Sequence, residues 1–107
     1  GNAENNFDIK KIRKKFGGIC IEDACHAFGS YKEIKKRKYK VGSCINSDIC
    51  TFSFHPLKTI TSGEGGLITT NSDLFAKNIR LLRSHGIEKN SSKWSKNKKT
   101  HDSYLKF

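Results

Sequence analysis

The chain has 107 residues, enough for one domain or part of one. Its 21 Lys+Arg against 10 Asp+Glu give a net charge of +11, which favours acidic partners such as nucleic acid, anionic lipid or phosphorylated ligands without choosing among them. With 35% hydrophobic residues the core should be small. No run nears the roughly 18–20 apolar residues that span a membrane, and the polar opening Gly1-Asn-Ala-Glu-Asn-Asn6 has no signal-peptide pattern, so a cytoplasmic chain is expected.

Phe7, Ile9, Ile12 and Phe16 recur at near-helical spacing, with Asp8 as a start signal and Gly17-Gly18 as a stop. This predicts an amphipathic helix over 7–16, with Lys10, Lys11, Arg13, Lys14 and Lys15 on its solvated face. Residues 18–23 follow as a strand. Ile19-Cys20-Ile21 is an apolar run suited to burial on both faces in a parallel sheet, and Glu22 and Asp23 close it. In open α/β sheets ligands bind beyond the carboxyl ends of the strands, which places Asp23 at a site edge; capping the next turn is its structural alternative. Ala24-Cys-His-Ala-Phe-Gly29 then carries His26 beside that edge.

Residues 30–47 are basic and punctuated by Tyr31 and Tyr39, which predicts an exposed loop or short hairpin over the site; contact with single-stranded nucleic acid is the other option. A second strand spans 48–54 and a third 66–70, both rich in β-formers. The dozen residues between them show no helical periodicity, and a parallel neighbour needs a crossover, so the third strand should run antiparallel to the second. This connection breaks at Pro56, offers Lys58 and ends in the cluster Gly63-Glu-Gly-Gly66. A strand that delivers one lysine into a glycine-bounded loop suits a Schiff-base lysine. Asn71 or Ser72 should cap a helix over 72–85, with Asp73 in its first turn, an apolar stripe of Leu74, Phe75, Ile79, Leu81 and Leu82, and Gly86 at C′. From 88 to 107 the chain reads as a polar loop, with Trp94, Tyr104, Leu105 and Phe107 awaiting a partner surface and an end that looks cut.

Cys20, Cys25, Cys44 and Cys50 form no Cys-x-x-Cys pair. Their spacing, even with His26 added, fits no standard zinc knuckle, and free thiols are expected.

Taken together, Ile21-Glu-Asp-Ala-Cys-His-Ala-Phe-Gly29, Val41-Gly42, Phe52-Ser-Phe-His-Pro-Leu-Lys58, Thr61-Ser-Gly-Glu-Gly-Gly66 and Arg83-Ser-His-Gly86 resemble the DegT/StrS family of pyridoxal-phosphate-dependent sugar aminotransferases. The likeness covers most of residues 7–88. Within the family, Ser53-Phe-His-Pro-x-Lys58 with Gly63-Glu-Gly-Gly66 is most similar to enzymes of pseudaminic acid biosynthesis. The resemblance implies an α/β fold: a fragment of the aspartate-aminotransferase-like (fold type I) large domain, with a mostly parallel sheet and one antiparallel strand. It implies pyridoxal 5'-phosphate as cofactor, an amino acid, by analogy glutamate, as donor, and a 4-keto nucleotide sugar as acceptor in bacterial surface-sugar biosynthesis.

The resemblance also implies roles. Lys58 would hold the cofactor aldehyde and move protons, and Asp23 would pair with the pyridinium nitrogen, keeping the ring an electron sink. His26 matches a Gln-or-His position against the ring, and Ser53 a phosphate contact. His55 and Glu64 are site neighbours, Glu64 either lining the substrate pocket or holding the loop. Family members are homodimers whose sites draw on both subunits. They also carry a phosphate-binding glycine/threonine turn, an Asn-Tyr-Arg segment and a small domain that these residues lack. The chain alone is therefore expected to bind cofactor poorly and to be inactive. A catalytically incompetent relative and a basic nucleic-acid-binding module acting through residues 32–40 are the alternatives.

Overall fold

The computed structural model describes residues 9–87. The chain divides into two units, Gly1–Ser72 and Asp73–Phe107. In the first, the order is α1 (Ile9–Phe16), β1 (Ile21–Asp23), β2 (Tyr31–Ile34), β3 (Arg37–Lys40), β4 (Ile49–Ser53) and β5 (Gly66–Thr69). Residues 7 and 8 of the expected first helix, and the expected loop over 88–107, lie outside the described residues.

The main sheet has the order β1-β4-β5 and is mixed: β1 pairs with β4 in parallel, and β5 is its one antiparallel strand, returning beside β4. The short connection from β4 to β5 leaves no room for a crossover, which is why the third strand reverses. Alternation along β4 sorts its side chains. Cys50 and Phe52 are buried, and Phe54 follows them on the same face; Ile49, Thr51 and Ser53 take the other. The core consists of Ala24, Val41, Cys44, Cys50 and Phe52, with Ala27, Phe28 and Phe54 packed against it. Phe28 sets its ring edge-on to both Phe52 and Phe54, at centroid distances of 5.4 and 5.5 Å.

The first strand corrects the expectation for residues 18–23. Regular pairing starts only at Ile21, because the Cys20 N–H is taken by the Asp48 carboxylate at 2.8 Å. The strand is not buried on both faces either; Ile21 is 62% exposed. Among the described residues it is an outer strand of the sheet, with one face covered. On that covered face Glu22 pairs with Lys32 and accepts a hydrogen bond from Ser47 Oγ at 3.3 Å. Arg13 is not simply solvated: it reaches Asp48 at 3.1 Å and ties α1 to the start of β4.

Residues 30–47 form a hairpin of β2 and β3, paired from Tyr31↔Lys40 to Ile34↔Arg37. The turn residues Lys35 and Lys36 both sit at positive φ (49° and 63°), the geometry of a two-residue turn that glycine and asparagine normally occupy. The hairpin does not lie over Asp23. Its Lys32 meets Glu22, which points to the opposite face of β1.

Gly42 follows β3 at φ 93°, and a Cβ there would lie 2.7 Å from Phe52 Cζ. The close approach lets Thr69 Oγ1 donate to the Gly42 carbonyl at 2.7 Å and the Cys44 thiol to the Thr69 carbonyl at 3.3 Å, closing the loop onto β5. The strands expected over 48–54 and 66–70 are each shorter, β4 ending where the chain turns at Phe54 and β5 where Thr70 Oγ1 bonds back to the Asp48 carbonyl.

The second unit contains α2 (Asp73–Arg83), shorter than the expected 72–85. Ser72 holds the N-cap position, while the Asn71 amide donates to the Ser43 carbonyl at 3.0 Å. At the other end the Gly86 N–H bonds to Leu81 O and the His85 N–H to Leu82 O, both at 3.0 Å. That is a Schellman closure with His85, at φ 60°, in the C′ place expected for Gly86.

Candidate active site

Because β1 and β4 run parallel, their carboxyl ends meet at one sheet edge, and each chain turn that leaves there carries a candidate residue. Asp23 pairs in register with Thr51, so Asp23, Thr51 and Ser53 share the open face. Beyond β1 the ladder extends one step, with the Ala24 N–H on Thr51 O at 2.9 Å, and the Ala27 N–H on Ala24 O then closes a turn. That turn lifts His26 into solvent. Beyond β4, the Lys58 N–H bonds to His55 O at 2.9 Å, which turns the half-buried Lys58 back toward the same edge. The two side chains meet: Lys58 Nζ lies 2.7 Å from His26 Nε2.

Asp23 lies exposed at the same edge. Its Oδ1 accepts the Cys25 backbone N–H at 3.0 Å. A hydrogen bond from the Cys25 thiol, then that backbone bond, together with the electrostatic attraction of Lys58 and His26, outweigh burial and hold the carboxyl below its ordinary range. The partnership acts the other way on Cys25. Asp23 pushes its thiol up, so the thiol keeps its proton and serves as a donor. Cys25 therefore joins the site, although nothing beyond its position two residues after Asp23 marks it in the sequence.

The other candidates are built into the β4–β5 loop. Ser53 Oγ accepts the His55 N–H at 3.3 Å, and its own hydroxyl proton stays available for a ligand oxygen. The His55 ring accepts the Leu57 N–H at Nδ1 (3.4 Å) and so shapes the turn that presents Lys58. Glu64 lends the loop its backbone carbonyl, which accepts Ser62 Oγ at 2.7 Å; its side chain is exposed. Thr61 Oγ1 and the Ser62 N–H both donate to Phe54 O. Gly66 is dictated by space, because a Cβ there would lie 2.7 Å from the Phe52 carbonyl oxygen.

All four cysteines are free: Cys44 and Cys50 are buried, Cys20 and Cys25 half-buried. Burial pushes the Cys50 thiol up to about 12. Among the described residues no three His, Cys, Asp or Glu side chains are grouped to hold a metal ion, and no helix is long and apolar enough to cross a membrane.

Comparison with known proteins follows the same residues. The chain is 45% identical over 89 residues, 83% of its length, to UDP-4-amino-4,6-dideoxy-N-acetyl-beta-L-altrosamine transaminase of Campylobacter jejuni serotype O:23/36. It is 40% identical over 90 residues to the protein of the same name from serotype O:2, and 41% identical over 86 residues, 80% of its length, to an uncharacterised protein of Methanocaldococcus jannaschii. It spans 22%, 22% and 21% of these relatives' own lengths. The model of the DegT/DnrJ/EryC1/StrS aminotransferase family matches residues 1–104. The chain belongs to that family.

Proposed function

We propose that these residues serve a pyridoxal-phosphate-dependent aminotransferase that moves an amino group from an amino acid, glutamate, to a 4-keto nucleotide sugar in bacterial surface-sugar biosynthesis. The observation that carries the reading is the Lys58–His26 contact of 2.7 Å beside an ionised Asp23 at a strand-end edge. The family and the names of the two Campylobacter relatives support the reaction class and the sugar substrate.

The residues present suit pyridoxal phosphate. Asp23 is an exposed carboxylate held in its charged form, as a partner for a protonated ring nitrogen must be. Lys58 supplies a primary amine for the aldehyde, Ser53 a hydroxyl donor for the phosphate, and His26 a flat ring for the cofactor face. When bound, the cofactor supplies an electron sink for the pair left on the substrate carbon after deprotonation. Asp23 keeps a negative charge where the ring nitrogen needs one. Lys58, once displaced by the incoming amine, holds and returns the proton taken from the substrate carbon. His55 and Ser53 shape the turn that presents it.

We extend the reading to the fold type I large domain, to a homodimer whose sites draw on both subunits, and to a cytoplasmic location. Four free thiols suit a reducing compartment. The test is reductive trapping. The protein, with any sequence flanking residues 1 and 107, is incubated with pyridoxal phosphate, reduced with borohydride and digested. A pyridoxyl label on Lys58, and loss of label and amino transfer in Lys58→Ala, are expected. Labelling at another lysine, or spread evenly over the surface lysines, would overturn the assignment.

A further inference from the structure

We propose that Cys25 is a positioning residue for Asp23: it binds the carboxylate through both its backbone N–H and its thiol, and so fixes the direction in which the remaining lone pairs meet a ligand's N–H. The inference rests on the aminotransferase reading and adds to it a residue that acts through Asp23.

Asp23 is exposed, so burial does little to hold its side chain. Its Oδ1 accepts the Cys25 N–H at 3.0 Å, a ring closed over two residues that sets the carboxylate against the turn. The Cys25 thiol adds a second bond to the same carboxylate. An ionised carboxylate offers about four lone-pair sites, so two bonds from one residue orient it and still leave acceptor capacity for a ligand.

Cys25 is itself held in place. The Ala24 N–H on Thr51 O and the Ala27 N–H on Ala24 O, both at 2.9 Å, bracket it in the turn. Ala24 beside it is part of the core, and Cys25 is half-buried. Thr51, the partner of Asp23 in the β1–β4 register, is the thiol's other hydrogen-bonding neighbour.

A thiol suits the task by its charge. Asp23 keeps the proton on the sulfur, so the donor is neutral and the carboxylate's negative charge remains for a protonated ring nitrogen. A lysine or arginine donor in that place would neutralise the charge instead. The other charged groups acting on Asp23 are Lys58 and His26, and a change at Cys25 leaves both in place.

The experiment follows the Asp23 carboxyl carbon by ¹³C NMR through an acid titration of the cofactor-free protein, with any sequence flanking residues 1 and 107. Cys25→Ala removes the thiol and keeps the backbone bond, and its Asp23 midpoint should lie above that of the wild type. Cys25→Ser restores a side-chain donor and should bring the midpoint back down. A sulfur that only fills space would leave the midpoint where it is. With pyridoxal phosphate bound, Cys25→Ala should lower kcat for amino transfer about 5-fold, the contribution of one hydrogen bond, with KM for the amino donor little changed, and Cys25→Ser should recover most of the loss. A midpoint unmoved by Cys25→Ala, one not recovered by Cys25→Ser, or an unchanged kcat would overturn the inference. One further measurement needs no variant to fold. Alkylation of wild-type Cys25 by iodoacetamide, read by mass spectrometry against pH, should set in at higher pH in the folded chain than in the same chain unfolded in urea. Onset at the same or a lower pH would also overturn it. Pyridoxyl trapping at Lys58 with an unmoved midpoint removes this inference and leaves the aminotransferase reading. A moved midpoint without trapping does the reverse.

Discussion

Gly42→Ala tests the packing on which the site stands. The new methyl would lie 2.7 Å from Phe52 Cζ and 2.9 Å from Cε2, and the backbone there holds φ 93°. The ring has little freedom to retreat, being 6% exposed and set edge-on against Phe28. The left-handed backbone costs a non-glycine residue about 1–2 kcal/mol, and overpacking a core about 1–3 kcal/mol, so the variant should lose about 3 kcal/mol. A double-mutant cycle separates the two. In a Phe52→Leu background the clash is relieved and only the backbone cost survives, so Gly42→Ala should cost about 1–2 kcal/mol less there than in the wild type. Urea unfolding followed by far-ultraviolet circular dichroism measures all four chains. An equal cost in both backgrounds would refute the clash, and a cost below about 0.5 kcal/mol in the wild type would refute the whole account.

Other expectations follow from the same structure. The folded state keeps the Cys50 thiol protonated up to about pH 12, while the unfolded thiol titrates near 9.0. The stability it lends is complete below pH 9 and lost as pH rises toward 12, by at most about 4 kcal/mol, and Cys50→Ala should remove that component from the pH dependence of unfolding. Lys32→Met leaves Glu22 with Ser47 Oγ and without its cation. Side chains only 16% and 20% exposed put the cost, measured by denaturation, at about 2 kcal/mol, below the full penalty for a buried charge. Replacing Lys35-Lys36 by Asn-Gly relieves two positive-φ residues and should raise stability by about 1 kcal/mol, read as a higher urea midpoint with unchanged slope.

What the sequence made legible were features whose cause is local. Pro56 and the glycines around Glu64 announce a turn, and Lys58 is its one cation; the strand-end carboxylate Asp23 stands out because it closes an apolar run. The antiparallel return of β5 follows from a connection too short to cross over. What escaped depends on distant partners. The Asp48 carboxylate takes the Cys20 N–H and postpones the start of β1, and the sheet edge leaves Ile21 exposed where an apolar run suggested burial. The hairpin turn of Lys35-Lys36 and the helix stop at His85 use left-handed residues that side-chain chemistry does not advertise. The His26–Lys58 contact depends on the β1–β4 register, and the Cys25 thiol gains its role only where the chain folds it back onto Asp23.

That register also sets an order of assembly. Phe54 receives the Thr61 hydroxyl from 7 residues away, whereas His26 and Lys58 are 32 apart. Closing the longer loop costs about 1 kcal/mol more chain entropy. β4, its lysine-bearing loop and β5 can therefore form as a local hairpin and wait for β1 to dock beside them. In hydrogen exchange the Phe54 and Ser62 amides, bonded within that hairpin, should gain protection during refolding before Ala24, whose N–H needs Thr51 O. Lys58 would then be presented before His26 and Asp23 arrive, so the chemistry of this edge begins with the docking of the first strand.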